Sequence, residues 1–222
     1  MPRPKDPEIR TMLIARAAHL LRVRKPVTLR SLVAGTGVST MTVYTYFGGM
    51  DGLWGALRQE GFRRLADRLE IVTETDDPIR DLTAMGAAYV SNAVADPDLY
   101  RVMFDDGFKL DDPAQADGTL LHLVHAIERA KSAGRLRPDV DPSDLATQSW
   151  AIGHGLTSLI TAGPLPLEAF ALGAPMLTAL YVANGDEPGR CSRSVTLGWS
   201  EIDTTPGTSP SVPAGVPARE QG

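Results

Sequence analysis

Cysteine is almost absent: Cys191 is the only one in 222 residues. That excludes an intrachain disulfide framework and a four-cysteine zinc site, and it fits a reducing cytoplasm. No run of 18 uncharged apolar residues occurs, so no segment spans a membrane as a helix. No apolar stretch of signal-peptide type follows the first basic residues, and a cytoplasmic location is expected. Glycine-rich phosphate loops, nucleophile elbows and Cys/His pairings are missing too. No catalytic residue is assigned, no cofactor is expected, and the chain reads as a non-enzyme. The histidines offer no metal set, since His122 and His125 are three apart without an obvious carboxylate partner on their face. The acid pairs Asp105-Asp106 and Asp111-Asp112 fall in an expected loop, where adjacent acids are solvated rather than catalytic.

Aromatic residues make up only 6% against 43% hydrophobic residues in all. The apolar set is therefore rich in alanine and leucine, which favours helix over sheet. The net charge of −5 hides an asymmetry. Residues 1–68 carry 12 Lys/Arg against five Asp/Glu, whereas the remainder carries 10 against 22. A basic N-terminal part on an acidic remainder concentrates attraction for a polyanion at one end of the chain.

The expected architecture is all-α, with about nine helices. Residues 1–5 form a basic arm. Asp6-Pro7-Glu8 opens a first helix, with a capping acid and a proline at the first helical position. Ile9, Met12, Leu13, Ala17, Leu20 and Leu21 recur along it at helical spacing, and Pro26 ends it. Thr28 caps a short second helix, Gly35-Thr36-Gly37 breaks the chain, and Ser39 caps a third helix through about Phe47. A long fourth helix runs from about Asp51 to Val72. Asp77-Pro78, Asp96-Pro97 and Asp141-Pro142 open the fifth, sixth and eighth. The acidic stretch 105–118 reads as a loop before a seventh helix over 119–133, capped by Gly134. A ninth spans about 167–184 with a kink at Pro175. From Gly185 onward Pro, Gly, Ser and Thr dominate, and 185–222 reads as a disordered tail. The organisation is then a first helical domain at 1–50, a second at 51–184, and that tail.

Residues 28–47, TLRSLVAGTGVSTMTVYTYF, carry the most informative pattern. Two short helices joined through a glycine-containing turn let the second enter a major groove. Val43 and Phe47 share one face of that second helix and pack on Leu29, Leu32 and Val33. Met41, Thr42, Tyr44 and Thr45 face the other way, with Thr40 at the helix entry. Hydroxyls suit phosphates and base edges, and apolar groups suit thymine methyls.

Together with IRTMLIARAAHLL before it and DGLWGAL after it, this segment resembles the N-terminal domain of the TetR family over about residues 9–60. The resemblance implies that Thr28, Thr42, Tyr44 and Tyr46 contact phosphates. It likewise implies that Thr40, Met41, Tyr44 and Thr45 face bases and that Arg30 lies at the DNA surface. Three departures stand out. Met50 occupies the position where the family usually has a phosphate-binding lysine. Val33 and Thr36 replace small alanines, and Met41 replaces a small residue.

Residues 78–183 resemble the regulatory domain named for Trp, His and Gly, through LYRVMFDD at 99–106 and WAIGHGLTSLITAG at 150–163. Those name-giving residues are Trp150, His154 and Gly155; His154 reads as packed or hydrogen-bonded, and Gly155 as permitting close helix approach. Met85, Tyr89, Met103, Phe104, His125 and Trp150 form a candidate lining for an unidentified small apolar effector. The apolar faces of the eighth and ninth helices suit a homodimer on a palindromic double-stranded operator. The resemblances imply a DNA-binding domain at 1–50, an effector-binding and dimerisation domain at 51–184, and a bacterial repressor released by its effector. The alternative is a helical small-molecule sensor acting through protein contacts without DNA.

Overall fold

The structure, a computed structural model, describes residues 6–204, the side chains of 115–117 excepted. The basic arm at 1–5 and the tail beyond 204 lie outside the described residues. Ten α-helices and one 3₁₀ turn form the described part, which has no strand. They are α1 (Pro7–Arg22), α2 (Leu29–Val33), α3 (Thr40–Phe47), α4 (Met50–Glu70) and α5 (Pro78–Ala95). There follow α6 (Pro97–Met103), α7 (Pro113–Ser132), α8 (Pro142–Thr161), the 3₁₀ turn Leu167–Leu172, α9 (Gly173–Ala183) and α10 (Pro188–Trp199). Residues 6–61 pack with 98–111 as one compact unit, and 62–97 pack with 112–204 as a second. The sequence boundary at 50/51 misses both the extent of the first unit and the insertion of 98–111 into it.

One local device starts half of these helices. At α1, α5, α7 and α8 the N-cap aspartate (Asp6, Asp77, Asp112 and Asp141) accepts backbone N–H bonds from the first turn, and a proline follows at once. Glu187-Pro188 does the same for α10. The carboxylate satisfies donors that have no partner within the helix, and proline gives up none that matters there.

The first unit is built on Leu13, Ala17, Leu32, Val43, Leu53 and Leu57, each almost fully buried, with Leu99 of α6 joining the same core. Arg16 donates to Ser31 O at 3.5 Å and Ala34 O at 3.3 Å, fastening α2 to α1. Segment 98–111 is held just as firmly. A Cβ on Gly61 would lie 2.2 Å from Met103 Cγ, so only glycine lets α6 approach α4 this closely. Arg58 donates to Met103 O at 2.9 Å and Phe108 O at 2.6 Å, and Trp54 stacks on Phe108 at 5.6 Å.

The second unit departs from expectation at its C-terminal end. Residues 188–199 form a helix in place of the expected disordered tail. Cys191 and Val195 are fully buried and Trp199 is 6% exposed. These three recur every fourth residue, one face of a helix. Gly198 lets α10 lie against the backbone of α5, where a Cβ would be 2.3 Å from Arg80 O. The Trp199 ring fills the room left by Gly173, and its Nε1 donates to Phe170 O at 2.7 Å. Burial pushes the Cys191 thiol up to about 12. A buried, protonated thiol is inert, so a thiol reagent should label native protein at the rate of α10 release. The check is labelling under native conditions and in denaturant; native labelling as fast as a free thiol would mean that α10 does not dock.

Two helix limits also shift. Asp112 caps α7 six residues earlier than expected, so the loop after α6 is short. Residues 167–184 form a 3₁₀ turn followed by α9, and Pro175 occupies the first turn of α9 instead of kinking a longer helix. A proline at that position lacks only an N–H the helix does not use.

Candidate nucleic-acid interface

The helix-turn-helix at 28–47 is present. Thr28 takes the N-cap of α2 and accepts Ser31 N–H at 3.2 Å, while Ser31 Oγ accepts Thr28 N–H at 2.9 Å, a reciprocal capping box. Gly35 and Gly37 both adopt positive φ, 74° and 75°, a conformation that costs a side chain dearly and glycine nothing. They turn the chain into α3. Ser39 takes the N-cap of α3 without a side-chain cap bond, and its Oγ lies 3.4 Å from Thr42 Oγ1. Val43 is fully buried, with Val38 and Phe47 half-buried beside it, so the inner face of α3 is fixed by packing.

The outer face is open. Met41 is 65% exposed and Tyr44 49%, and Thr45, Thr28 and Arg30 are exposed as well. Thr40, Thr42 and Tyr46 are half-buried. Thr45 Oγ1 donates to Met41 O at 3.0 Å, which leaves the methyl and the oxygen lone pairs facing out. Tyr46 Oη accepts Asp6 N–H at 2.7 Å and ties the start of α1 to α3. Arg10 stacks over Phe47 at 5.6 Å and pairs with Asp111 at 3.2 Å, so it braces the unit from within. Met50 begins α4 and is packed partly against the core. It offers no donor where the TetR resemblance would put a lysine.

The candidate effector residues divide between the two units. Met85 and Tyr89 are buried in α5, and Trp150 is half-buried in α8. Met103 and Phe104 belong to the first unit, drawn there by Gly61 and Arg58. The His125 side chain is 63% exposed and faces Glu74 at 3.6 Å, because its position on α7 points away from the core. His154 Nδ1 lies 2.7 Å from Tyr89 Oη and its Nε2 3.3 Å from Ser158 Oγ, so it is a hydrogen-bonded histidine whose pKa burial lowers. Trp150 stacks obliquely on it at 5.2 Å. Gly155 admits no close approach within the chain, since a Cβ there would meet nothing within 4 Å.

Sequence reasoning missed a buried ion cluster in the second unit. Arg135, 5% exposed, donates from Nε and Nη2 to both oxygens of Asp186 at 2.8 and 2.7 Å, and from Nη1 to Asp77 at 2.7 Å. Ser194 bridges Arg135 and Asp77. Burial raises both carboxyls, but the bonds from Ser194 and Arg135 to Asp77, and from Arg135 and Arg190 to Asp186, outweigh it and hold them below 3.8. A depressed acid contributes stability above its unfolded pKa and loses it as pH falls through the folded value. The melting temperature should therefore fall steeply below about pH 4, and Asp186→Asn should melt lower at pH 7 with a flatter acid limb. Parallel acid limbs in thermal melts would show that the cluster does not control acid unfolding.

Among known proteins, residues 82–180 match the family of tetracyclin repressor-like C-terminal domains. A protein of unknown function from Rhodococcus sp. RHA1 is similar over 91% of this chain and 98% of its own, with 26% identity and a TM-score of 0.60. The TetR-family protein CprB of S. coelicolor A3(2) is similar over 89% and 100%, with 18% identity and a TM-score of 0.65. RolR in complex with resorcinol is similar over 86% and 94%, with 16% identity and a TM-score of 0.60. No curated protein matches the chain. The chain has the all-helical TetR-type fold.

Proposed function

We propose that the chain is a DNA-binding transcriptional repressor that acts as a homodimer on a palindromic operator and leaves it when a small, largely apolar effector binds. The observation that carries this reading is α3: one face locked into the core by Val43, the other presenting Met41, Tyr44 and Thr45 to solvent. An isolated helical hairpin has no need of an exposed methionine and tyrosine side by side; a helix that enters a major groove does. The Trp-His-Gly resemblance enters as packing, with Trp150 and His154 joined to Tyr89.

The homodimer is supported by two stripes of small and apolar residues: exposed Ala151 and Leu159 flanking half-buried Gly155 on α8, and exposed Leu172 at the end of the 3₁₀ turn with Met176 and Ala179 on α9. The open space at Gly155 suits close approach by a second copy. Leu159→Glu with Met176→Glu should turn a dimer into a monomer by sedimentation at micromolar concentration; a wild-type monomer would overturn the dimer. Effector release follows from linkage: a ligand that binds the DNA-incompetent state more tightly lowers operator affinity by the same factor. A gel shift with DNA containing its own promoter, with the scrambled sequence as control, tests DNA binding itself. A protein that binds both alike, or neither, is not a sequence-specific repressor.

A further inference from the structure

The outer face of α3 is as informative for what it lacks as for what it shows. Its eight residues, TMTVYTYF, include no Arg, Lys, Asn, Gln, Asp or Glu. Those are the side chains that tell bases apart by hydrogen bonds in the major groove. Arg or Lys pairs with guanine, Asn or Gln with adenine, and Asp or Glu accepts from the cytosine amino group. The hydroxyls of α3 do not take their place. Thr45 Oγ1 gives its hydrogen to Met41 O at 3.0 Å, and Thr42 Oγ1 lies 3.4 Å from Ser39 Oγ. A hydroxyl both donates and accepts, so it suits either kind of base edge and separates them weakly.

What the helix offers outward is carbon. Met41 is more exposed than any other large apolar side chain of α3. Thr45, four residues on, shares its face and is exposed too. With its hydroxyl turned to the backbone of Met41, Thr45 leaves its methyl outward. The Tyr44 ring stands beside them, near Gly49. Apolar groups in water gain only when another apolar surface covers them. The basic charge of residues 1–68, 12 Lys/Arg against five Asp/Glu, favours a polyanion as that cover. In the major groove of DNA the one alkyl group at a base edge is the C5-methyl of thymine.

We propose that α3 recognises thymine: Met41 and the Thr45 methyl seat against C5-methyl groups, so each operator half-site presents at least one T·A pair to this face. The proposal rests on the reading of α3 as the recognition helix and goes past it by naming the chemical group that is read.

Deoxyuracil pairs with adenine as thymine does and lacks only the methyl, so it isolates this contact. The full-length protein selects its site from random duplexes. The selected duplex is then titrated by fluorescence anisotropy in two forms, with thymine or with deoxyuracil at the half-site thymines. The wild type binds the thymine form about fifteenfold more tightly, at about fourfold for each methyl covered and one methyl in each half-site. Met41→Ala combined with Thr45→Ser, which keeps the hydroxyl, brings that ratio below about twofold. Both side chains are exposed, so the double variant melts like the wild type. Half-sites without thymine, a wild-type ratio below about twofold, or a full ratio that survives in the double variant overturns the proposal; the last would mean that uracil acts through duplex shape. Preference for selected over scrambled DNA without a thymine–uracil difference overturns this proposal alone. Selected DNA bound no better than scrambled DNA overturns the repressor reading with it.

Discussion

A chain that ends at Gly185 should fail to fold its second unit. The truncation removes the buried side chains of Cys191, Val195 and Trp199. Burying a large apolar side chain contributes about 1.5–3 kcal/mol. It also removes Asp186 and Ser194 and leaves the Arg135 guanidinium with only Asp77 of its four acceptors. Breaking a buried ion pair by deleting one partner costs about 3–5 kcal/mol. Even the lower values together reach the floor of ordinary domain stability, about 5 kcal/mol. The full-length chain should show a cooperative thermal transition by circular dichroism and the truncated one no transition or one at least 15 °C lower, at about 4–8 °C per kcal/mol for a small domain. Truncation after Thr204, by contrast, should leave the melt unchanged. An unchanged melt in the shorter chain would show that α10 is dispensable.

Tyr44→Ala should be the most damaging change to DNA binding that leaves the fold intact. The side chain is half-exposed on the outer face of α3, with its ring near Gly49 just beyond the helix end. Its removal takes nothing from the buried core. Losing a base contact costs about 1–3 kcal/mol, and a residue that meets both phosphate and base stands at the upper end, close to a hundredfold in affinity. Met50→Lys should act the other way. It places an ammonium at the start of α4 and should tighten binding to all sequences, steepening the salt slope by up to about one unit. Fluorescence anisotropy on operator and scrambled DNA reads both effects. If Tyr44→Ala binds like the wild type, α3 is not the recognition helix.

Much of this was legible in the chain. Asp6-Pro7, Asp77-Pro78 and Asp141-Pro142 marked three helix starts correctly, because an N-cap carboxylate and a following proline act locally and need no tertiary help. The same signal stood at Asp112-Pro113 and Glu187-Pro188 and was overridden by composition: an acidic, glycine-containing stretch in one case, a Ser/Gly/Arg-rich one in the other. For α10 the apolar face was only Cys191, Val195 and Trp199, one residue per turn, and its stability comes from Arg135, 51 residues before Asp186. No local pattern announces such a partner. The helix-turn-helix was readable because its turn, its cap and its two-faced third helix all lie within twenty residues. The effector residues were not, because size and apolarity alone do not say which unit a side chain joins. Met103 was assigned to the regulatory part on those grounds, whereas Gly61 and Arg58 draw it into the first unit.

The central claim, that α3 reads DNA sequence within a twofold complex, is tested most directly by one titration. The wild type is titrated onto a selected palindrome and onto the same bases scrambled, across a series of salt concentrations. The account predicts a palindrome site with half-sites about one helical turn, roughly 34 Å, apart. It also predicts an affinity at least a thousandfold above scrambled DNA and a steep fall with salt on both. Equal affinity for the two DNAs at every salt concentration would contradict it.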